Sequence, residues 1–214
     1  MSDLMLDVDQ AGELKAAFRR GNWSNAEIKL FCQGDTSTKV REVVVGNATI
    51  VELPLLQYVG SITYGPTAFP FIASEHFVCG TGPDAAVKIS YLSDNFRAWF
   101  LNKTEEQKDE TVLRYAKLRK SSVDAPIITE LGGEVEAEIS LCEVFSLMER
   151  QKHGEDGPLL TNGWWNIFYI KDINGVLRAV RVFWSAGGWY VRAYSIEYPD
   201  TWLDGSRVFS RNSC

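Results

Sequence analysis

The residues best placed to do chemistry lie in NIFYIKDINGVLRAVRVFWSAGGWYVRAYS, residues 166–195. Read with Asn174–Gly175 and Ala186–Gly187 as two-residue turns, this stretch folds into two successive hairpins. Tyr169 then pairs with Val180, Ile167 with Val182 and Trp165 with Trp184; the next hairpin sets Trp184 against Trp189 and Val182 against Val191. One face carries Trp165, Ile167, Tyr169, Val180, Val182, Trp184, Trp189 and Val191, and is expected to be core. The other pairs Phe168 with Arg181, Arg181 with Arg192, Phe183 with Tyr190 and Ala179 with Tyr194. Two arginines directly opposite one another repel unless an anion lies between them. Guanidinium groups beside aromatic rings also recognise anionic and planar groups. Phe168, Arg181, Phe183, Tyr190, Arg192 and Tyr194 are therefore the candidate binding residues. The competing reading pairs these arginines with a carboxylate of the chain itself, such as one on the 140–153 helix. A three-residue second turn would reverse the parity and dissolve the site.

Other constellations are weaker. There are two histidines, His76 and His153, and Glu75-His76-x-x-Cys79 holds metal-ligand or nucleophile types. On a strand, however, His76 and Cys79 point to opposite faces. Glu134, Glu136 and Glu138 alternate with Val135, Ala137 and Ile139; three carboxylates in a row suit a hard cation, and also suit the wet face of a half-buried strand. LRYAKLRK (113–120) places Arg114, Lys117, Arg119 and Lys120 where they could meet phosphate or guard a sheet edge. Cys32, Cys79, Cys142 and Cys214 match no zinc spacing. There is no Gly-rich phosphate loop, GxSxG or HExxH motif. No catalytic residue, metal or cofactor is assigned.

These residues must be held by a folded chain. The protein has 214 residues, 45% hydrophobic and 23% charged, which excludes global disorder and a disulfide scaffold. Its net charge of −6 disfavours a protein that coats nucleic acid. Only residues 158–214 carry a basic excess, six basic against four acidic side chains. Residues 9–20 read as a helix ended by Gly21, and Ser24 with Glu27 opens a second one as a capping box. That hairpin, residues 1–35, is expected to be an appendage; its second helix holds Lys29, Glu27 and no arginine, which argues against a DNA-reading role. Residues 36–214 are expected to form one α+β domain: a mixed or antiparallel sheet, short helices and a C-terminal β-meander over 158–214. Strands are predicted from Lys39 through VVVGNATIV and over 71–79, 86–92, 111–118 and 134–139, with residues 54–70 rich in loops. Helices are predicted after Asp94 and, with Ser140 and Glu143 as a capping box, over the 140s. In the meander, 164–172, 176–184, 189–197 and 206–210 are the strand candidates. MSDLMLDVDQ has neither the basic nor the apolar region of a signal peptide, and reduced thiols in the cytoplasm are the expectation.

GNWSNAEIKLFCQGD, YLSDNFRAWFL, LRYAKLRKSSVDAPIITELGGE and NIFYIKDINGVLRAVRVFW resemble stretches shared by uncharacterised bacterial proteins, many from uncultured lineages. The resemblance spans most of the chain, implies a bacterial source and carries no catalytic residue with it. The expectation is a non-enzymatic cytoplasmic protein that binds a macromolecular partner, such as another protein, through the arginine-aromatic face. The alternatives are a metal-dependent or hydrolytic enzyme built on His76 or the glutamate row, and a nucleic-acid accessory protein using the 113–120 strand and the arginine face.

Overall fold

The computed structural model describes residues 7–66, 70–197 and 200–211. The chain divides into two compact units, Met1–Leu53 and Pro54–Cys214.

The first unit holds α1 (Val8–Arg20), α2 (Asn25–Phe31) and α3 (Thr36–Val44). The Ser24–Glu27 capping box forms as expected, with each residue's side chain bonded to the other's backbone N–H. Phe18, Trp23 and Phe31 meet with ring centroids 5.1–5.8 Å apart and pin the α1–α2 turn. The stretch expected to begin a strand at Lys39 is instead the body of α3. Lys39 pairs with Asp35 one turn back at 3.1 Å, and Val40, Val43 and Val44 share a side, so helical spacing overrides β-branched propensity. The helical unit therefore runs to Leu53 rather than to residue 35. None of its helical residues is buried.

The second unit is α+β. Its elements are β1 (Leu56–Tyr64), β2 (Phe71–Ile72), α4 (Ala73–His76), β3 (Ile89–Leu92), α5 (Asp94–Phe100), β4 (Thr104–Glu105), β5 (Thr111–Leu118), α6 (Asp124–Glu130), α7 (Glu134–Ala137), α8 (Leu141–Arg150), β6 (Asn166–Lys171), β7 (Leu177–Ser185), β8 (Gly188–Ser195) and β9 (Arg207–Ser210). Seven strands form one sheet in the order β1-β5-β9-β6-β7-β8-β3. The β6–β9 and β3–β8 pairs are parallel and the others antiparallel. Residues 206–210 are thus a strand but not the fourth of a meander: β9 inserts between β5 and β6. Strand β1 occupies the stretch expected to be loop-rich, with an irregular register between Tyr58 and Gly60. A Cβ at Gly60 would lie 2.7 Å from the Tyr115 hydroxyl, so a larger residue here would displace that ring.

Both faces of the central sheet are covered, and Ile167–Ile170 are buried in succession. One face packs Phe168, Val180, Val182, Trp189, Val191 and Phe209 against α5 and α8. The other packs Ile167, Tyr169, Ala179 and Val208 against α6, α7 and Trp202. Helix α8 starts where expected, with Glu143 accepting from the Ser140 N–H (2.8 Å) and hydroxyl (2.6 Å). Burial opposes a charge on Glu143, but Ser140, Arg211 at 2.7 Å and Thr111 at 2.8 Å outweigh it, leaving the carboxyl below its ordinary range. A lowered folded pKa contributes stability above the unfolded value and loses it as pH falls through the folded one. Glu143→Gln should therefore flatten the acid limb of the stability–pH curve below about pH 4, as read by urea unfolding at each pH.

Two further expectations are corrected. Residues 134–139 are not a strand: positive φ at Gly132 and Gly133 turns the chain into one helical turn, Glu134–Ala137. Glu138 leaves the others to pair with Lys171 at 2.7 Å, so no carboxylate row exists. Residues 71–79 are strand only at Phe71 and Ile72 before the turn of α4, where His76 stacks on Phe71 at 4.3 Å. Among the described residues, no helix is long and apolar enough to cross a membrane, and no three His, Cys, Asp or Glu side chains form a metal-binding group.

Candidate functional site

The site is set by two turns that obey different rules. At the β7–β8 turn, Ala186 and Gly187 have φ of 50° and 81°, the paired left-handed conformation of a two-residue hairpin. The expected register follows: Arg181 opposite Arg192, Phe183 opposite Tyr190, Trp184 opposite Trp189. Alanine is strained at that φ, so Ala186→Asn should raise stability by about 1 kcal/mol in thermal or urea unfolding without touching the site.

The β6–β7 turn departs from expectation. Asp172 N–H donates to the Val176 carbonyl, and Gly175 N–H to that of Asp172, closing a three-residue loop with Gly175 at φ 76°. The Asp172 carboxylate holds it by accepting from the N–H groups of Asn174 (2.8 Å) and Val176 (3.0 Å) and from Arg178 Nε (3.0 Å). The extra residue moves the register by one: Phe168 now faces Val180, and Ile167 faces Arg181. A one-residue slip turns every β6 side chain over. Phe168 therefore leaves the candidate site for the α8 side of the sheet, where it is fully buried and stacks on Phe209 at 4.6 Å. Trp165, Ile167 and Tyr169, expected beside Val180 and Val182, lie on the arginine side instead.

What remains is an aromatic cradle around two guanidinium groups. The Arg181 guanidinium carbon lies 4.4 Å from the centroid of Trp165, 5.0 Å from Tyr194 and 5.5 Å from Phe183. Arg192 lies 5.5 Å from Tyr91, which arrives on β3 at the parallel edge of β8. Tyr190 links the two halves, stacked on Phe183 at 5.0 Å and 6.0 Å from Tyr91. Behind them, Trp202 meets Trp165 and Tyr194 edge-on at 5.9 and 5.7 Å. The sequence pattern missed Tyr91, Trp165 and Trp202; the β3–β8 pairing brings in the first, the shifted β6 register the second and the Ser122–Trp202 bridge the third.

The electrostatics of the pair are unusual. Arg181 is only 8% exposed, yet among the described residues neither arginine forms an ion pair. Both Nε atoms are buried without an acceptor. Burial lowers the Arg181 pKa, with Arg192 adding to the effect against an attraction from Tyr194 and, more weakly, Asp200. The carboxylate expected from the 140–153 helix does not reach them: α8 packs on the opposite face of the sheet, and Glu143 is held by Ser140, Thr111 and Arg211. Asp124, buried on the arginine side, accepts from Tyr169 and Trp202. Among the described residues, the cradle is built of arginine and aromatic side chains. It offers two guanidinium groups to an oxyanion and aromatic rings to whatever bears it.

The other sequence candidates stay dispersed. Cys79 lies beside the Arg97 guanidinium at 3.3 Å, and His153 donates its backbone N–H to Glu155. Arg114 sits over Tyr58 at 6.0 Å, while Lys117 and Arg119 open into a cleft of their own. No protein-family model, no curated protein and no solved structure matches this chain.

Proposed function

We propose that this is a non-enzymatic binding protein of the bacterial cytoplasm, which captures a protein partner by an acidic group presented to Arg181 and Arg192. The observation that carries this reading is the pair of opposed guanidinium groups, inside an aromatic cradle, that form no ion pair among the described residues. A fold gains nothing from two cations facing each other in partial burial. An incoming carboxylate or phosphorylated side chain would relieve the repulsion and accept from both arginines, while Trp165, Phe183, Tyr190 and Tyr194 would supply the apolar contact typical of binding hot spots.

The test exploits opposite effects on binding and stability. Arg192→Glu places a carboxylate against Arg181 and supplies the missing anion from within. Its unfolding free energy should rise by about 1 kcal/mol while partner capture is lost. In pull-downs from a bacterial lysate, the wild-type protein should retain a discrete partner that polyglutamate displaces. Arg192→Glu and the Arg181→Glu/Arg192→Glu double variant should retain none. Unchanged capture by the folded double variant would sink the reading.

A further inference from the structure

A second site lies on the opposite face of the sheet. Arg207 shares its register position with Lys117 on β5 and Asn166 on β6. Asn166 faces Val182, one residue out of phase with Arg181, so Arg207 and Arg181 emerge on opposite sides. There the ends of β5 and β9 and the 160–164 loop enclose a cleft of about 770 Å³. It is lined by Lys117, Arg119 and Arg207 as cations, with Asp204, Gln57 and the ring of Trp164.

The cleft is shaped by specific backbone devices. Asn162 accepts from the Trp164 N–H at 3.2 Å across Gly163, whose φ is 90°, and so braces the turn that carries the indole. Gly205, at φ 88°, lets the chain pass beneath the indole, within 3.7 Å of where a Cβ would stand. Arg207 is fixed by donating to the carbonyls of Gly157 and Pro158 and by lying 5.3 Å from the Tyr115 ring. Trp164 nonetheless stays 40% exposed. None of the three cations has an ion-pair partner among the described residues. Three cations against one carboxylate is a marked local excess in a chain of net charge −6.

We infer that this cleft binds a nucleotide, with the base on Trp164, the phosphate on Lys117 and Arg119, and Asp204 and Gln57 placed for sugar hydroxyls. Its volume is that of small-molecule sites. A π-face beside unpaired cations is the chemistry that reads a planar ring bearing a phosphate. A nucleic-acid strand fits less well, because the cleft has one aromatic platform and the whole chain would repel a polyanion.

The experiment follows the tryptophan indole N–H resonances of the full chain while AMP, GMP, CMP and UMP are added separately, Trp164→Phe assigning the Trp164 signal. Adenosine, guanosine, cytidine, uridine, inorganic phosphate and a short oligothymidylate are the comparison probes. At least one nucleotide should shift the Trp164 signal saturably in the micromolar to low-millimolar range. Lys117→Glu/Arg119→Glu should weaken that nucleotide by about tenfold or more, with the remaining indole signals in place. The matching nucleoside should bind more weakly than its nucleotide. The inference is overturned if no nucleotide saturates the Trp164 signal, if the double variant binds as tightly as wild type, or if the nucleoside matches its nucleotide. Oligothymidylate binding more than about tenfold tighter than any mononucleotide would overturn it in favour of a strand-binding groove.

Discussion

Trp202→Ala should destabilise the protein by about 4 kcal/mol, the largest single effect expected in the C-terminal unit. Trp202 is wholly buried, and its Nε1–H donates to Asp124 Oδ1 at 2.6 Å. Its main chain pairs with Ser122 in both directions, and its ring braces Trp165 and Tyr194. Removing the indole leaves a cavity and strips one donor from a carboxylate whose other oxygen already lacks a partner. Trp202→Phe separates the contributions, keeping most of the packing and losing the hydrogen bond, for about 2 kcal/mol at neutral pH. The pH dependence has a definite sign. Burial pushes the Asp124 carboxyl up, while Trp202 and Tyr169 pull it back down. An acid with a raised folded pKa favours folding in its protonated form, so its stability contribution falls as pH rises from the unfolded value of about 3.9 through the folded one. Losing the Trp202 donor raises that folded pKa further. The Trp202→Phe deficit, measured by urea unfolding, should therefore be largest near pH 7 and shrink toward pH 4. A deficit independent of pH would show that the indole acts by packing alone.

Glu105→Ala should cost about 3–4 kcal/mol, nearly as much, although Glu105 lies in a stretch that reads as a solvated loop. Its carboxylate is buried and accepts from the N–H groups of Leu141 (3.0 Å) and Cys142 (2.9 Å), the first two of α8. Lys103 pairs with it at 3.1 Å. A negative charge at a helix N-terminus meets both the orphan donors and the positive end of the dipole. Helix α8 in turn delivers Leu141, Val144, Phe145, Leu147 and Met148 to the core. Truncation leaves two N–H groups and the Lys103 ammonium without this partner, whereas Glu105→Gln keeps an acceptor and should cost about 1–2 kcal/mol. Urea unfolding reads the difference in stability. Native-state hydrogen exchange should locate it, with the Leu141 and Cys142 amides losing protection in Glu105→Ala before the rest of α8.

Both effects rest on groups distant in the chain, and that marks what was legible in advance. The Ser24–Glu27 and Ser140–Glu143 capping boxes were readable because cap and partner lie three residues apart. The Ala186–Gly187 turn was readable too, and with it the opposition of Arg181 and Arg192. The Asn174–Gly175 turn was misleading because the Asp172 carboxylate bonds into the loop and stabilises a three-residue alternative with the same Asn-Gly pair inside it. One residue of difference exchanged Phe168 for Trp165 in the arginine cradle. Helix α3 departs from that expectation because β-branched residues report fit to a pleated surface rather than an intrinsic backbone preference, and Val40, Val43 and Val44 recur at helical spacing.

The sequence by itself determined the class of fold, the caps of two helices, the second hairpin and the meeting of two arginines across it, since each depends on residues close in the chain and on short-range sterics or hydrogen bonds. Tertiary structure alone decided that β9 enters between β5 and β6, that Tyr91 reaches Arg192 across a parallel edge, that Glu105 caps a helix beginning 36 residues later, and that Lys117, Arg119, Arg207 and Trp164 share a cleft. The reason is physical: such pairings are selected by burying both faces of one sheet at once, a condition that no local window of the chain contains.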